Sequence, residues 1–256
     1  MSQLTEWMDR TWYPDFKNHW DDWLFRDRIL GHLRPESVVL DLGAGAGILP
    51  QMNFRGIAAR VFGIDLDARV ADNPMLDEAR IADAARIPYE ADLFDAVWAD
   101  NVLEHLAEPL TVFREVARVL KPGGVFLFKT PNRRHYVPLL ARLTPQRFHE
   151  YVNRLRGRAV VDTFPTLYRA NTRADVLRFA GQSGLSVERV ELIEGRPEYL
   201  RIAWPAYLVG AAYERLVNSR ETFASFRILI VGVLRKTSDD PRVTAASATA
   251  PFEGSR

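Results

Sequence analysis

Apolar and polar positions along this chain follow two periods that alternate. The runs at 38–42, 60–65, 94–99 and 125–130 are almost continuously apolar and short, as strands buried on both faces are. A weaker run lies near Ala79–Ala82, and two more lie at 186–193 and Phe226–Leu234. Between them the period lengthens. Leu110, Phe113, Val116 and Leu120 share one face of a helix predicted over 108–120. Lys121-Pro122-Gly123-Gly124 ends that helix and turns into the next strand. A second helix is predicted from Thr172, a cap with Asp175 three residues on, to Gly181–Gly184. A third, within 47–59, is expected to be short because it holds Pro50 and Gly56. Strands that alternate with helices imply an α/β fold around a parallel sheet.

Two stretches break the alternation: about forty residues after Pro131, where Thr144-Pro145 looks like a cap and first helical position and Phe148, Tyr151, Val152 and Leu155 share one helical face, and 195–224, which is expected to be irregular. Residues 5–33 carry Trp7, Trp12, Tyr13, Phe16, Trp20, Trp23, Leu24, Ile29 and Leu30 among charges, which predicts amphipathic helix packed on something larger. The tail from Thr237 has no periodicity and is expected to be disordered. The plan is therefore an N-terminal helical cap (1–35), one domain (36–236) with lid insertions at 131–171 and 195–224, and a tail (237–256).

Composition narrows the chemistry. With no cysteine among 256 residues, disulfides, thiolate catalysis and thiolate metal sites are excluded, and no metal site is expected. A net charge of +1 gives no overall pull toward nucleic acid. The first residues have early acids and no apolar core, unlike a signal peptide. The longest apolar candidate, Ile202 to Tyr213, is too short for a bilayer and is broken by Pro205, so a cytoplasmic protein is expected.

Candidate chemistry stands at the strand ends, where ligands bind in open α/β sheets. The first strand ends in Asp41-Leu42-Gly43-Ala44-Gly45-Ala46-Gly47-Ile48. Glycine at alternate positions makes a tight turn that lets backbone approach a ligand. A dinucleotide fingerprint would need glycine at 48, where this chain has isoleucine. Asp65 ends the second strand, placed to accept both hydroxyls of a ribose. Asp83-Ala84 follow the third and Asn101-Val102-Leu103-Glu104-His105 the fourth.

This ordered set, with Lys121-Pro122-Gly123-Gly124 and Lys129-Thr130-Pro131-Asn132, resembles the class I S-adenosylmethionine-dependent methyltransferases of the broad small-molecule type, over about 36–132. The resemblance implies a Rossmann-like, doubly wound, seven-stranded sheet whose last strand is antiparallel and inserts beside 125–130. It implies S-adenosyl-L-methionine as cofactor. Gly43, Ala44 and Gly45 would pass beneath its methionine part and Asp41 would help hold the amino group. Asp65 would take the ribose, with Leu66 beside the adenine. Asp83 would accept from the adenine amino group, with Ala84 adjacent, and the backbone of Asn101 would lie near the sulfonium.

The acceptor is less legible. A hydroxyl acceptor needs a general base, for which His105, His135 and His149 are candidates beside bland readings as core or surface residues. Between Arg133 and Arg158 the chain has seven arginines and one acid, Glu150. Either this is the solvated face of a lid, or Arg133, Arg134 and Tyr136 receive an anionic small molecule. The segment around Tyr199–Leu216 reads as core packing, a pocket wall, a dimer contact or a weak membrane-surface element. Trp12, Tyr13 or Trp20 either packs under the sheet or closes over the cofactor. No nucleic-acid partner is expected, since nothing like Asn-Pro-Pro-Tyr follows the fourth strand. The rivals are a nicotinamide-dependent dehydrogenase and a non-enzymatic partner protein that binds S-adenosylmethionine.

Overall fold

The apolar run Val38–Leu42 forms β1, which pairs in parallel with β2 (Arg60–Asp65) on one side and β4 (Phe94–Asp100) on the other. β2 pairs in parallel with β3 (Glu78–Ile81), and β4 with β5 (Leu120–Pro131). β6 (Leu185–Ile193) and β7 (Leu229–Lys236) complete the sheet, β7 lying antiparallel between β5 and β6. The computed structural model describes residues 3–16, 18–143 and 165–237, and among these one seven-stranded sheet runs β3-β2-β1-β4-β5-β7-β6. The antiparallel insertion implied by the resemblance is present: Val125 to Pro131 pair with Arg235 to Leu229. The strand order reverses between β1 and β4, so a crevice opens above that pair.

Apolar side chains fill both faces of the sheet. α3 (Pro109–Val119) and α5 (Arg173–Ser183) cover one face, with Phe113, Phe126 and Phe128 fully buried. α5 starts as its sequence requires: Thr172 Oγ1 accepts the Asp175 N–H at 3.1 Å, and Gly184 closes it in the left-handed conformation. α2 (Trp20–Leu30) covers the other face, with Phe25 and Ile29 against Val39, Ala96, Trp98 and Leu127.

α1 (Gln3–Trp12) lies against another helix. It packs on α6 (Trp204–Asn218), where the Tyr207 hydroxyl donates to Asp9 at 2.7 Å and the Tyr13 hydroxyl to Glu214 at 3.0 Å. Met8, Tyr13 and Tyr207 form a third, smaller apolar cluster there.

The structure corrects four expectations. The 195–224 segment is not irregular, because it holds the fifteen residues of α6, with Pro205 in the first turn where a missing N–H costs nothing. The short helix expected within 47–59 shrinks to one 3₁₀ turn, Pro50–Met52, between Gly47 and Gly56. The turn at Lys121–Gly124 lies inside β5, where the register against β4 shifts between Phe94 and Ala96. The last strand begins at Leu229, after a 3₁₀ helix Glu221–Phe226. His149, most of the arginine-rich lid and the tail beyond 237 lie outside the described residues.

Candidate functional site

The crevice above β1 and β4 is a cavity of about 580 Å³, within the range of small-ligand sites. It is lined from four strand ends: Asp41 and Gly43–Ile48 after β1, Asp65 and Leu66 after β2, Asp83 and Ala84 after β3, and Asp100, Asn101 and His105 after β4. Every residue assigned to the cofactor from sequence meets at this one wall.

Its floor is the glycine turn, set by backbone conformation. Gly43, Gly45 and Gly47 have φ of 80°, 54° and 68°. The N–H groups of Gly43 and Ala44 both donate to Ile64 O, at 2.8 and 3.1 Å. Asp65 braces the turn from the next strand: its Oδ2 accepts the Gly45 N–H at 2.9 Å and its Oδ1 the Asp67 N–H at 2.8 Å. Each oxygen keeps a second lone pair that can accept a further hydrogen bond.

A second brace went unrecognised in the sequence. Asn73 Nδ2 donates to Ala44 O at 3.0 Å and to Gly45 O at 3.1 Å, while its Oδ1 accepts the Met75 N–H at 2.9 Å. Asn73 is buried and lines the cavity. A Cβ on Gly47 would stand 2.2 Å from Asn73 Oδ1, so the turn and its brace fit only without a side chain at 47.

The rim is polar. Asp83 Oδ1 accepts the Ala85 N–H at 2.8 Å, which fixes an exposed Asx turn with its carboxylate at the rim. Asn101 is left-handed at φ 53°, and its N–H is held by Lys129 O at 2.8 Å.

The inner wall is acidic. Asp41 is buried, and its pKa is pushed up to about 8 by that burial, with Asp100 and Asp65 adding and the Trp98 indole opposing. Burial also raises Asp100, to about 6, against the pull of Lys129. Carboxylates held this far from water in a ligand cavity are suited to a cationic group.

His105 stands on the cavity wall. Its Nδ1 lies 3.0 Å from Pro165 O, which can only accept, so Nδ1 carries the proton and Nε2 the lone pair in the neutral ring. Glu104 points the other way, into protein. Its Oε2 accepts the Thr130 hydroxyl at 2.9 Å, Thr130 Oγ1 accepts from Asn171 Nδ2 at 2.7 Å, and burial pushes its pKa up to about 7. The Glu104 carbonyl also accepts the N–H groups of Leu167 and Tyr168, so this segment fastens the chain at 167–168.

The acceptor candidates lie elsewhere. His135 is buried: its Nδ1 accepts the Val137 N–H at 3.2 Å, its Nε2 stands 3.3 Å from Glu194, and its ring stacks 4.1 Å from Tyr136. Arg133 Nη1 donates to Tyr168 O at 3.2 Å, and its Nη2 is 3.4 Å from Asp175. Arg134 is exposed at the start of α4 (Tyr136–Leu143). None of these lines the cavity, and neither do Trp12, Tyr13 or Trp20.

Comparison with known proteins agrees with this geometry. Residues 40–128 match a family model described as a methyltransferase domain. The chain is 36% identical over 143 residues to a ubiquinone biosynthesis O-methyltransferase of Nitrosomonas europaea, covering 49% of this chain and 60% of that protein. It is 31% identical over 164 residues to the one from Paraburkholderia phytofirmans, covering 57% of this chain and 67% of that protein. The chain thus spans about three fifths of the length of such relatives as the first. Among solved structures it is similar to geranyl diphosphate C-methyltransferase from Streptomyces coelicolor, with a TM-score of 0.54 at 17% identity over 85% of this chain and 78% of that one. It is also similar to the cyclase SpnF, with a TM-score of 0.52 at 20% identity over 84% of this chain and 81% of that one. At such identities these two show the fold alone.

Proposed function

The chain belongs to the class I S-adenosylmethionine-dependent methyltransferases, and from that premise we propose that it transfers the cofactor's methyl group to a hydroxyl oxygen of a small-molecule acceptor. The observation that carries the reading is the convergence of the glycine turn, Asp65, Asp83 and Asn101 on one cavity that His105 also lines. The bound cofactor supplies an electrophilic methyl group on a sulfonium, so the protein's share is alignment and proton transfer. The turn at Gly43–Gly45 passes beneath the methionine part, and Asp41 helps hold the amino group. Asp65 accepts the ribose hydroxyls beside Leu66, and Asp83 with Ala84 holds the adenine. His105 Nε2 takes the acceptor's proton. Oxygen is favoured as the methylated atom because the matched relatives are named O-methyltransferases.

For the acceptor, α4 follows the carboxyl end of β5 and exposed Arg134 at its start favours an anionic molecule, with Tyr136 and His135 beside it outside the cavity. No helix among the described residues is long and apolar enough to cross a membrane. Exposed Leu4 and Trp7 on α1, with Trp204, Leu208 and Val209 on α6, favour a weak contact with a membrane surface, which flotation with liposomes tests.

The test of function is titration calorimetry with S-adenosylhomocysteine and NAD, followed by labelled methyl transfer to a panel of phenols and hydroxy acids. Binding of S-adenosylhomocysteine alone, with transfer that falls at least about 100-fold in His105→Gln, supports the proposal. Binding of NAD would move it to the dehydrogenases. Binding without transfer to any acceptor in a cell extract would make it a non-enzymatic binding protein.

A further inference from the structure

One short segment lies outside the cavity yet touches its wall at four points. Pro165 to Arg169 run along the 3₁₀ turn Leu103–His105 and the residues just after it. Pro165 O lies 3.0 Å from His105 Nδ1. The N–H groups of Leu167 and Tyr168 donate to Glu104 O at 2.7 and 3.0 Å. Arg169 Nη1 donates to Ala107 O at 2.6 Å.

Polar bonds are what hold this strap. Pro165, Thr166, Leu167 and Arg169 are exposed, so it has little apolar burial to keep it in place. It is anchored beyond Arg169, where Ala170 and Asn171 are fully buried and Asn171 Nδ2 donates to Thr130 Oγ1 at 2.7 Å and to Pro131 O at 3.0 Å. Tyr168 stands at φ 52°, a left-handed conformation that disfavours a residue with a side chain. That conformation brings two successive N–H groups to one carbonyl, that of Glu104, whose carboxylate is itself tied to Thr130. The strain is thus kept where the strap meets the cavity wall.

The consequence falls on His105. A neutral imidazole carries its proton on either nitrogen, and what the ring meets decides which. Pro165 O can only accept, so it holds the proton on Nδ1 and leaves Nε2 basic. Without that carbonyl the ring is free to take the other tautomer, which presents a proton where the acceptor needs one removed.

We propose that the 165–169 strap sets the working tautomer of His105, and that Arg169 is the positioning residue that pins it. The Arg169 guanidinium clasps Ala107 O, two residues past His105, while the turn at Tyr168 clasps Glu104 O, one residue before it. The histidine is bracketed between the two clasps, which keeps Pro165 O on Nδ1. None of Pro165 to Arg169 lines the cavity, so the strap acts on proton removal and leaves donor binding alone. The inference rests on the reading that His105 takes the acceptor's proton, and two separate readouts keep the two apart.

Nitrogen-15 correlation spectra of the full chain labelled at histidine report the tautomer without any acceptor, and the signal that His105→Gln removes assigns the ring. The unsubstituted protein should show His105 protonated on Nδ1. Arg169→Ala should raise the share of the Nε2–H form and lower kcat for the best acceptor of the phenol and hydroxy-acid panel roughly 2–10-fold, the worth of one hydrogen bond, with S-adenosylhomocysteine affinity within about twofold. Arg169→Lys keeps a donor for Ala107 O and should restore both. Tyr168→Pro can neither hold φ near 52° nor donate an N–H, and should lower kcat at least about tenfold, whereas Tyr168→Gly keeps the turn and should stay within about threefold. A ring protonated on Nε2 in the unsubstituted protein would overturn the proposal. So would an unchanged tautomer in both Arg169→Ala and Tyr168→Pro, or an equal loss of kcat and donor affinity. Unchanged transfer in His105→Gln would instead overturn the base reading on which the proposal stands. Should Tyr168→Pro fail to fold, Arg169→Ala and its rescue by lysine decide the matter, because Arg169 is exposed.

Discussion

Gly47 offers the sharpest test of how the floor of the cavity is built. In Gly47→Ala two costs add. The residue must keep φ near 68°, a left-handed conformation that costs a side-chain-bearing residue about 1–2 kcal/mol. The new Cβ would also stand 2.2 Å from Asn73 Oδ1 and 2.7 Å from Asn73 Cγ. Asn73 must move, and its two bonds to Ala44 O and Gly45 O, each worth about 0.5–1.5 kcal/mol, are lost. The sum is about 2–5 kcal/mol, or roughly 2–4 °C in Tm for each kcal/mol in a chain of this size. Gly56 is the control. It has φ 78°, yet a Cβ there meets nothing within 4 Å, so Gly56→Ala should cost only the conformational 1–2 kcal/mol, approximately. Thermal unfolding and S-adenosylhomocysteine titration of both variants read the difference. Gly47→Ala should unfold at the lower temperature and bind at least about tenfold more weakly, whereas Gly56→Ala should bind as the parent does. In the double variant Gly47→Ala/Asn73→Ala the clash disappears, so the combined cost should fall short of the sum. Equal Tm losses at 47 and 56 with unchanged binding would refute the brace.

Asp41 makes a pH prediction. Its folded pKa of about 8 lies above the unfolded value near 4, so the folded chain holds a proton that the unfolded chain releases between them. Stability of the ligand-free protein should therefore fall as pH rises from about 4 to 8, with a slope of up to about 1.4 kcal/mol per pH unit. Asp41→Asn should flatten that slope in urea titrations, and an unchanged slope would show that Asp41 is not its source. Thr130→Val takes the hydroxyl from Glu104 Oε2 and one of two acceptors from Asn171 Nδ2, and should destabilise by roughly 2–5 kcal/mol in chemical denaturation; a loss below about 0.5 kcal/mol would count against the network. Arg134→Ala should raise the acceptor's KM several-fold and leave S-adenosylhomocysteine affinity alone, and unchanged acceptor kinetics would remove Arg134 from the acceptor site. Arg133→Ala should in addition lower Tm, because Arg133 holds Tyr168 O and Asp175.

What was legible in the sequence was whatever depends on short range. Asp41, Asp65, Asp83 and Asn101 each follow a recognisable apolar run, and strand ends of a parallel sheet converge by topology. Asn73 could not be read this way, because its partners lie 28 and 29 residues away and neither chemistry nor spacing marks the pair. Lys129, whose buried ammonium meets Asp21, Asp22 and Asp100, did carry a signal. It follows the apolar run Val125–Phe128 and shares a face with Val125 and Leu127, so a counter-charge had to be sought, and Asp21-Asp22 was the acidic pair available. α6 is hard to see in the sequence because Pro205 reads as a break, yet proline in a first turn starts a helix as readily as it ends one.

The antiparallel position of β7 also sets an order of events during synthesis. Among the described residues, β6 pairs only with β7, and the outer edge of β5 is covered only by β7. A nascent chain made as far as residue 228 therefore has β1 to β5 with an apolar edge at Val125–Phe128 open, and a finished β6 with nothing to pair with. Both gaps close in one step when Leu229–Lys236 leaves the ribosome. Until then the half-made molecule presents the kind of strand edge that invites wrong partners. A chaperone would meet this protein late, and a chain cut before residue 229 would lose two strands rather than one.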